Sequence, residues 1–120
     1  MTYDEWLEKY LRRFRKEWKE PLDRLEIEDD MKLYFDEKKG FMWYAIRGDR
    51  FHIDHTSTND IAYMHEQART MAKQAGCRIL ETEVARNAPA YVRLAHTHLN
   101  VVKSEVKADG HFYWLMEDEV

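Results

Sequence analysis

Six histidines supply most of the acid–base and metal-binding capacity of this 120-residue chain: His52, His55, His65, His96, His98 and His111. Imidazole titrates near neutrality, so any of them could move a proton. A metal ion needs ligands that converge from one side. His52 and His55 lie three apart in "FHIDHT", which alternates as a strand, so they are expected to face opposite ways. His52 and Asp54 share a face. His96 and His98 lie two apart in a helical stretch, about 200° around the axis. Neither pair makes a chelate, and no metal is expected. The one cysteine, Cys77, excludes an internal disulfide and a multi-cysteine zinc site. It follows Gly76 at a strand start with no histidine beside it, and reads as a small buried hydrophobe.

The elements that must position these residues follow from spacing and punctuation. "TYDEWLEKYLRRFRKEWKEP" reads as a helix over residues 1–20. Thr2 and Glu5 form a capping-box pattern. Trp6, Leu7, Tyr10, Leu11, Phe14 and Trp18 fall on one side for packing on a sheet, and Pro21 ends it. The basic residues of "YLRRFRK" are the wet side of that helix. Residues 22–56 then read as an antiparallel meander: "LDRLEIE", "MKLYFDE", "FMWYAIR" and "FHIDHT" make three or four strands, with turns at Gly40 and Gly48. "RGD" at 47–49 falls in the second turn. A helix from about Asn59 to Ala75 presents Ile61, Met64, Ala68, Met71, Ala72 and Ala75 on one face. Asn59 or Asp60 caps it, and Gly76 stops it. "CRILETEVA" is a strand. "NAPAYVRLAHTHL" is a helix capped by Asn87 with Pro89 in its first turn. A hairpin turning at Asp109-Gly110 closes residues 59–116. Its "HFYWLM" arm is a core strand; left at an edge it would invite a pairing partner. This order gives a single α+β domain over 1–120, a mixed, mostly antiparallel sheet flanked by helices.

Bulk properties narrow the function classes. The net charge of -4 and sequence pI near 5.9 argue against nonspecific nucleic-acid binding. No apolar run approaches the ~18 residues of a membrane span. "MTYDEWLEK" lacks the basic start and apolar stretch of a signal peptide, so a cytoplasmic protein is expected.

Over roughly residues 31–116 the chain resembles the GNAT acyl-CoA N-acyltransferase superfamily. "KLYFDEKKGFMWYAIRGDRFHIDHTST" resembles that family's meander and the strand leading to its cofactor loop. "AKQAGCRILETEVARNAPAYVRLA" resembles the following helix end, strand and helix start, through Ala72, Ala75, Gly76, Ile79, Val84, Asn87, Ala90 and Leu94. The resemblance implies acetyl-CoA lying between the family's fourth and fifth strands, and a small-molecule or protein amine as acyl acceptor. It also implies a general base from the "FHID" strand, His52 or Asp54. Asn87 opens the family's next helix.

Three departures accompany it. The family's glycine-rich loop cradles pyrophosphate with backbone amides at a helix start. Here the loop is "TSTNDIA", in which Ser57, Thr58 and Asn59 offer donors. Asp60 would oppose the phosphates and, as a cap, occupy amides they need. Weak acetyl-CoA binding is therefore expected. The family's acidic tyrosine aligns with Ala95, leaving Tyr91, one turn earlier, or His96 to protonate the leaving thiolate. The family's first strand has no counterpart. Two functions follow: a divergent acyl-CoA-dependent N-acyltransferase, or a cofactor-free GNAT-like scaffold that binds a protein. By analogy, the latter would be a phage or mobile-element product, such as a virion component or an inhibitor of host defence.

Overall fold

The structure, a computed structural model, describes residues 1–18, 25, 27–84, 100–106 and 112–120, with side chains over 1–12, 25, 27–82 and 117–120. Helix α1 spans Tyr3–Trp18. Its capping box is formed: Glu5 N donates to Thr2 Oγ1 at 3.2 Å and Thr2 N to Glu5 Oε1 at 3.0 Å. Two otherwise orphaned amides are thereby satisfied reciprocally. Trp6 and Leu11 are buried beneath it, and Tyr3 and Tyr10 meet the Phe41 ring. The aromatic stripe packs on the sheet as the spacing predicts. The Pro21 stop lies outside the described residues.

Strands β1 (Lys32–Asp36), β2 (Gly40–Arg47) and β3 (Arg50–Thr58) form the meander. "LDRLEIE" adds no strand among its described residues, so three of the anticipated strands are present. The RGD tripeptide is a turn. Arg47 binds Asp30 and Glu28, and Asp49 binds Arg78. Helix α2 spans Ile61–Gln74 and is stopped as read. Gly76 adopts φ +76°, with Cys77 N donating to Ala72 O and Gly76 N to Lys73 O, the paired closing bonds of a glycine-terminated helix.

Strand β4 (Ile79–Val84) lies parallel to β3, and β5 (Asn100–Val106) and β6 (Phe112–Glu119) complete the sheet in the order β1-β2-β3-β4-β6-β5. The other neighbouring pairs are antiparallel. β6 is thus interior, not the edge it might have been. α2 covers one face, burying Met64, Ala68 and Ala72 against Met42, Phe51, Ile53 and Leu80. α1 covers the other. The Asn87 helix and the Asp109-Gly110 turn lie outside the described residues.

Candidate functional site where two parallel strands part

β3 and β4 pair from Arg50↔Ile79 to Ile53↔Thr82. β3 continues to Thr58 and β4 to Val84, yet no pair joins them beyond that point. A bulge coincides with the parting. Met42 opposes Thr56 and Tyr44 opposes Ile53, so Trp43 alone faces both Asp54 and His55. An extra residue bends the strand and turns its backbone groups out of the ladder. This corrects the expectation that His52 and His55 face opposite ways. The bulge shifts the alternation by one, and His55 joins His52 on the α1 face, its Nδ1 3.4 Å from Tyr10 Oη. Asp54 sits in the bulge, 3.8 Å from His55 Nε2.

His52, one residue before the last β3–β4 pair, is buried. Its Nδ1 lies 3.0 Å from Glu81 Oε1 on β4. A carboxylate only accepts, so this bond puts a proton on Nδ1, and in the neutral ring Nε2 is then the acceptor atom. Arg50 holds the other Glu81 oxygen at 3.0 Å and also binds Glu117. The result is an imidazole, a carboxylate that orients it and a guanidinium that fixes the carboxylate. Glu81 and Arg50 escaped the sequence reading. Both alternate correctly for this face, but their meeting depends on the parallel register of β3 and β4. Among the described residues, no group of three or more His, Cys, Asp or Glu side chains is placed to hold a metal ion.

The loop at the mouth of the gap is tied to the β1–β2 turn. Thr58 Oγ1 donates to Lys39 O at 2.7 Å and accepts from Asp60 N at 3.0 Å, while Asn59 Nδ2 donates to Lys38 O at 3.0 Å. The Thr58 and Asn59 donors are therefore spent internally. No hydrogen bond of the Ser57 hydroxyl to a described residue is present. Asp60 caps α2, accepting Tyr63 N at 3.1 Å, and its other oxygen lies 3.0 Å from Lys39 Nζ. Lys39 supplies, from across the turn, the cation that the loop itself lacks. Gly40 lets these segments touch. At φ +120°, a Cβ there would collide with Ser57 O and lie 2.9 Å from Thr58 Cα.

On the α2 face, buried polar atoms gather. Thr82 Oγ1, Thr56 Oγ1 and both ring nitrogens of His65 have no hydrogen-bond partner among the described residues. Burial, and secondarily the Arg69 guanidinium, hold the His65 pKa below its ordinary value of 6.5, against the pull of Asp118. Thr82 closes the last β3–β4 pair and Thr56 lies just past the bulge, so two of these orphans flank the parting. Tyr91, His96 and Asn87 lie outside the described residues.

Solved structures share this fold. Aminoglycoside 6'-acetyltransferase type Ii superposes with a TM-score of 0.66 over 98% of this chain and 89% of its own, at 10% identity. A probable acetyltransferase (GNAT family) from Chromobacterium violaceum gives 0.62 over 99% and 80%, at 14% identity. An acetyltransferase from Bacillus subtilis, solved in complex with CoA, gives 0.57 over 100% and 94%, at 10% identity. The fold is that of the GNAT acetyltransferases. No protein-family model matches the chain, and no curated protein matches it in sequence.

The Bacillus subtilis structure holds CoA. In this chain β3 beyond Ile53 pairs with β2 and has no β4 partner among the described residues, and the Thr56 and Thr82 hydroxyls beside it have no hydrogen-bond partner among those residues. At the α2 start, the amides of Ile61 and Ala62 have no partner among the described residues, but Asp60 already holds the Tyr63 amide and Lys39.

Proposed function

We propose that this protein is an acyl-CoA-dependent N-acyltransferase acting on a small-molecule or protein amine, with weak affinity for acetyl-CoA. The observation that carries the reading is the placement of the His52–Glu81 pair one step before the last register pair, where β3 and β4 part. Acetyl-CoA, bound in the gap, would supply the activated acyl group. His52 Nε2 takes the proton of the attacking amine, directly or through a water. Glu81 stabilises the imidazolium that forms, and Arg50 keeps Glu81 aimed. Backbone amides near the bulge at Asp54 and His55 polarise the acyl carbonyl. Asp54 shares the proton path through His55. Ser57, Thr58 and Asn59 shape the mouth beside the amides of Ile61 and Ala62, which have no partner among the described residues. Tyr91 or His96 is the acid the sequence offers to return a proton to the leaving thiolate. The single buried cysteine, unpaired, agrees with a reducing, cytoplasmic setting.

Asp60 favours a second reading. A helix start already capped by a carboxylate, itself neutralised by Lys39, satisfies itself without an anion. In that reading the chain is a cofactor-free scaffold that binds a protein. Thiol release from acetyl-CoA in the presence of an amine panel separates the two. Release lost in His52→Ala supports the enzyme; none from the wild type at millimolar acetyl-CoA supports the scaffold.

A further inference from the structure

β1 ends the sheet order, and among the described residues nothing pairs with its outer edge. An open edge presents a row of unpaired backbone donors and acceptors. Its two α1-face side chains, Leu33 and Phe35, are 38% and 37% exposed. The five residues of the strand read Lys-Leu-Tyr-Phe-Asp, and that order is complementary to itself when reversed. Antiparallel pairing centred on Tyr34 sets Lys32 against Asp36, Leu33 against Phe35 and Tyr34 against Tyr34. The flanks obey the same rule: Asp29 and Asp30 precede the strand, and Lys38 and Lys39 follow it. Reversal brings the acidic flank of one chain to the basic flank of the other. Asp30 and Lys39 already pair with Arg47 and Asp60, and the Asp36 carboxylate also accepts the Lys38 and Lys39 amides and the Tyr63 hydroxyl, so the Lys32–Asp36 match carries most of the attraction.

The alternatives are worse. Slipping by one residue puts Lys32 against Phe35 or Asp36 against Leu33. Parallel pairing sets Lys32 against Lys32 and Asp36 against Asp36, and like charges directly opposite are destabilising. The charges that reject a foreign strand accept this chain's own.

We propose that the β1 edge is a homodimer interface, in which two copies pair β1 against β1, antiparallel about Tyr34, to make one continuous sheet. The symmetry is two-fold, so every favourable match occurs twice. Other occupants, such as an unrelated peptide strand, lack this reciprocity.

Sedimentation velocity over about a hundredfold range of protein concentration reads the equilibrium. The wild type should shift reversibly from monomer to dimer. Lys32→Glu replaces two attractive matches with two repulsive ones and should weaken dimerisation about tenfold or more. Lys32 is exposed, so this variant should fold. Asp36→Lys should weaken it likewise, and an equal mixture of the two variants should recover the dimer, because each then offers the other opposite charges. A wild type monomeric up to about 1 mM overturns the proposal. So does a Lys32→Glu dimer as tight as the wild type, or a mixture of folded variants that fails to recover. Should Asp36→Lys lose its fold with its turn, Lys32→Glu alone decides.

Discussion

Replacing Asp60 separates two effects that the wild-type geometry combines. Its carboxylate accepts Tyr63 N at 3.1 Å and lies 3.0 Å from Lys39 Nζ. The Lys39–Asp60 pair is exposed by 37% and 39%, and a pair so wet is worth only ~0–1 kcal/mol. Asp60→Gly also loses the cap, but glycine is itself tolerated there, at a few tenths of a kcal/mol. The variant should therefore lose about 1 kcal/mol or less, a fall of a few degrees in Tm. Its effect on ligand binding should be larger and opposite. The Tyr63 amide and the Lys39 ammonium are both freed where a pyrophosphate would lie, and charge-assisted bonds are worth about 1.5–3 kcal/mol each. Acetyl-CoA should bind about tenfold tighter or better, read by calorimetry. Asp60→Asn keeps the cap but frees Lys39, and should fall between. If Asp60→Gly stays folded and binds acetyl-CoA no better than the wild type, the α2 start is no anion site.

Further outcomes follow from other contacts. His52→Ala and Glu81→Gln should lower an established acyl-transfer rate, the first by ~10²-fold or more through lost acid–base chemistry, the second less, because Nε2 remains; wild-type rates in both would remove the pair from the site. Gly40→Ala should cost about 3 kcal/mol or more by urea titration, since the colliding atoms are backbone and φ is positive; a neutral result would show that the loop is not pinned there. His65 is held neutral when folded, chiefly by burial, so the unfolded chain binds more protons as pH falls through its ordinary 6.5, and stability is lost in that direction. His65→Leu should flatten the loss between about pH 7 and 5 without lowering stability at neutral pH; an unchanged slope by thermal melts would assign it elsewhere.

The fold was legible where local chemistry decides it. Thr2 with Glu5, Gly76 after the Met64–Ala68–Ala72 stripe, and the Gly48 turn each declare themselves within a few residues. The site was legible by strand, not by partner. "FHIDHT" pointed to His52, but the bulge at Asp54 and His55 has no glycine to announce it, and it reverses which face His55 occupies. Glu81 meets His52 only through a parallel register spanning 29 residues. Lys39 reaches Asp60 across 21, so the charge balance of "TSTNDIA" cannot be judged from the loop alone. The alternation of "LDRLEIE" resembles a strand, but its described residues, Leu25, Ile27 and Glu28, form none.

The central claim is that acetyl-CoA binds in the gap between β3 and β4. An amide-resolved NMR titration with acetyl-CoA tests both affinity and place. Saturable shifts with a Kd of about 100 μM or weaker are expected, concentrated at Asp54–Thr58, Ile61, Ala62 and Thr82. No shifts at millimolar ligand, or saturable shifts confined to residues far from that gap, would contradict it.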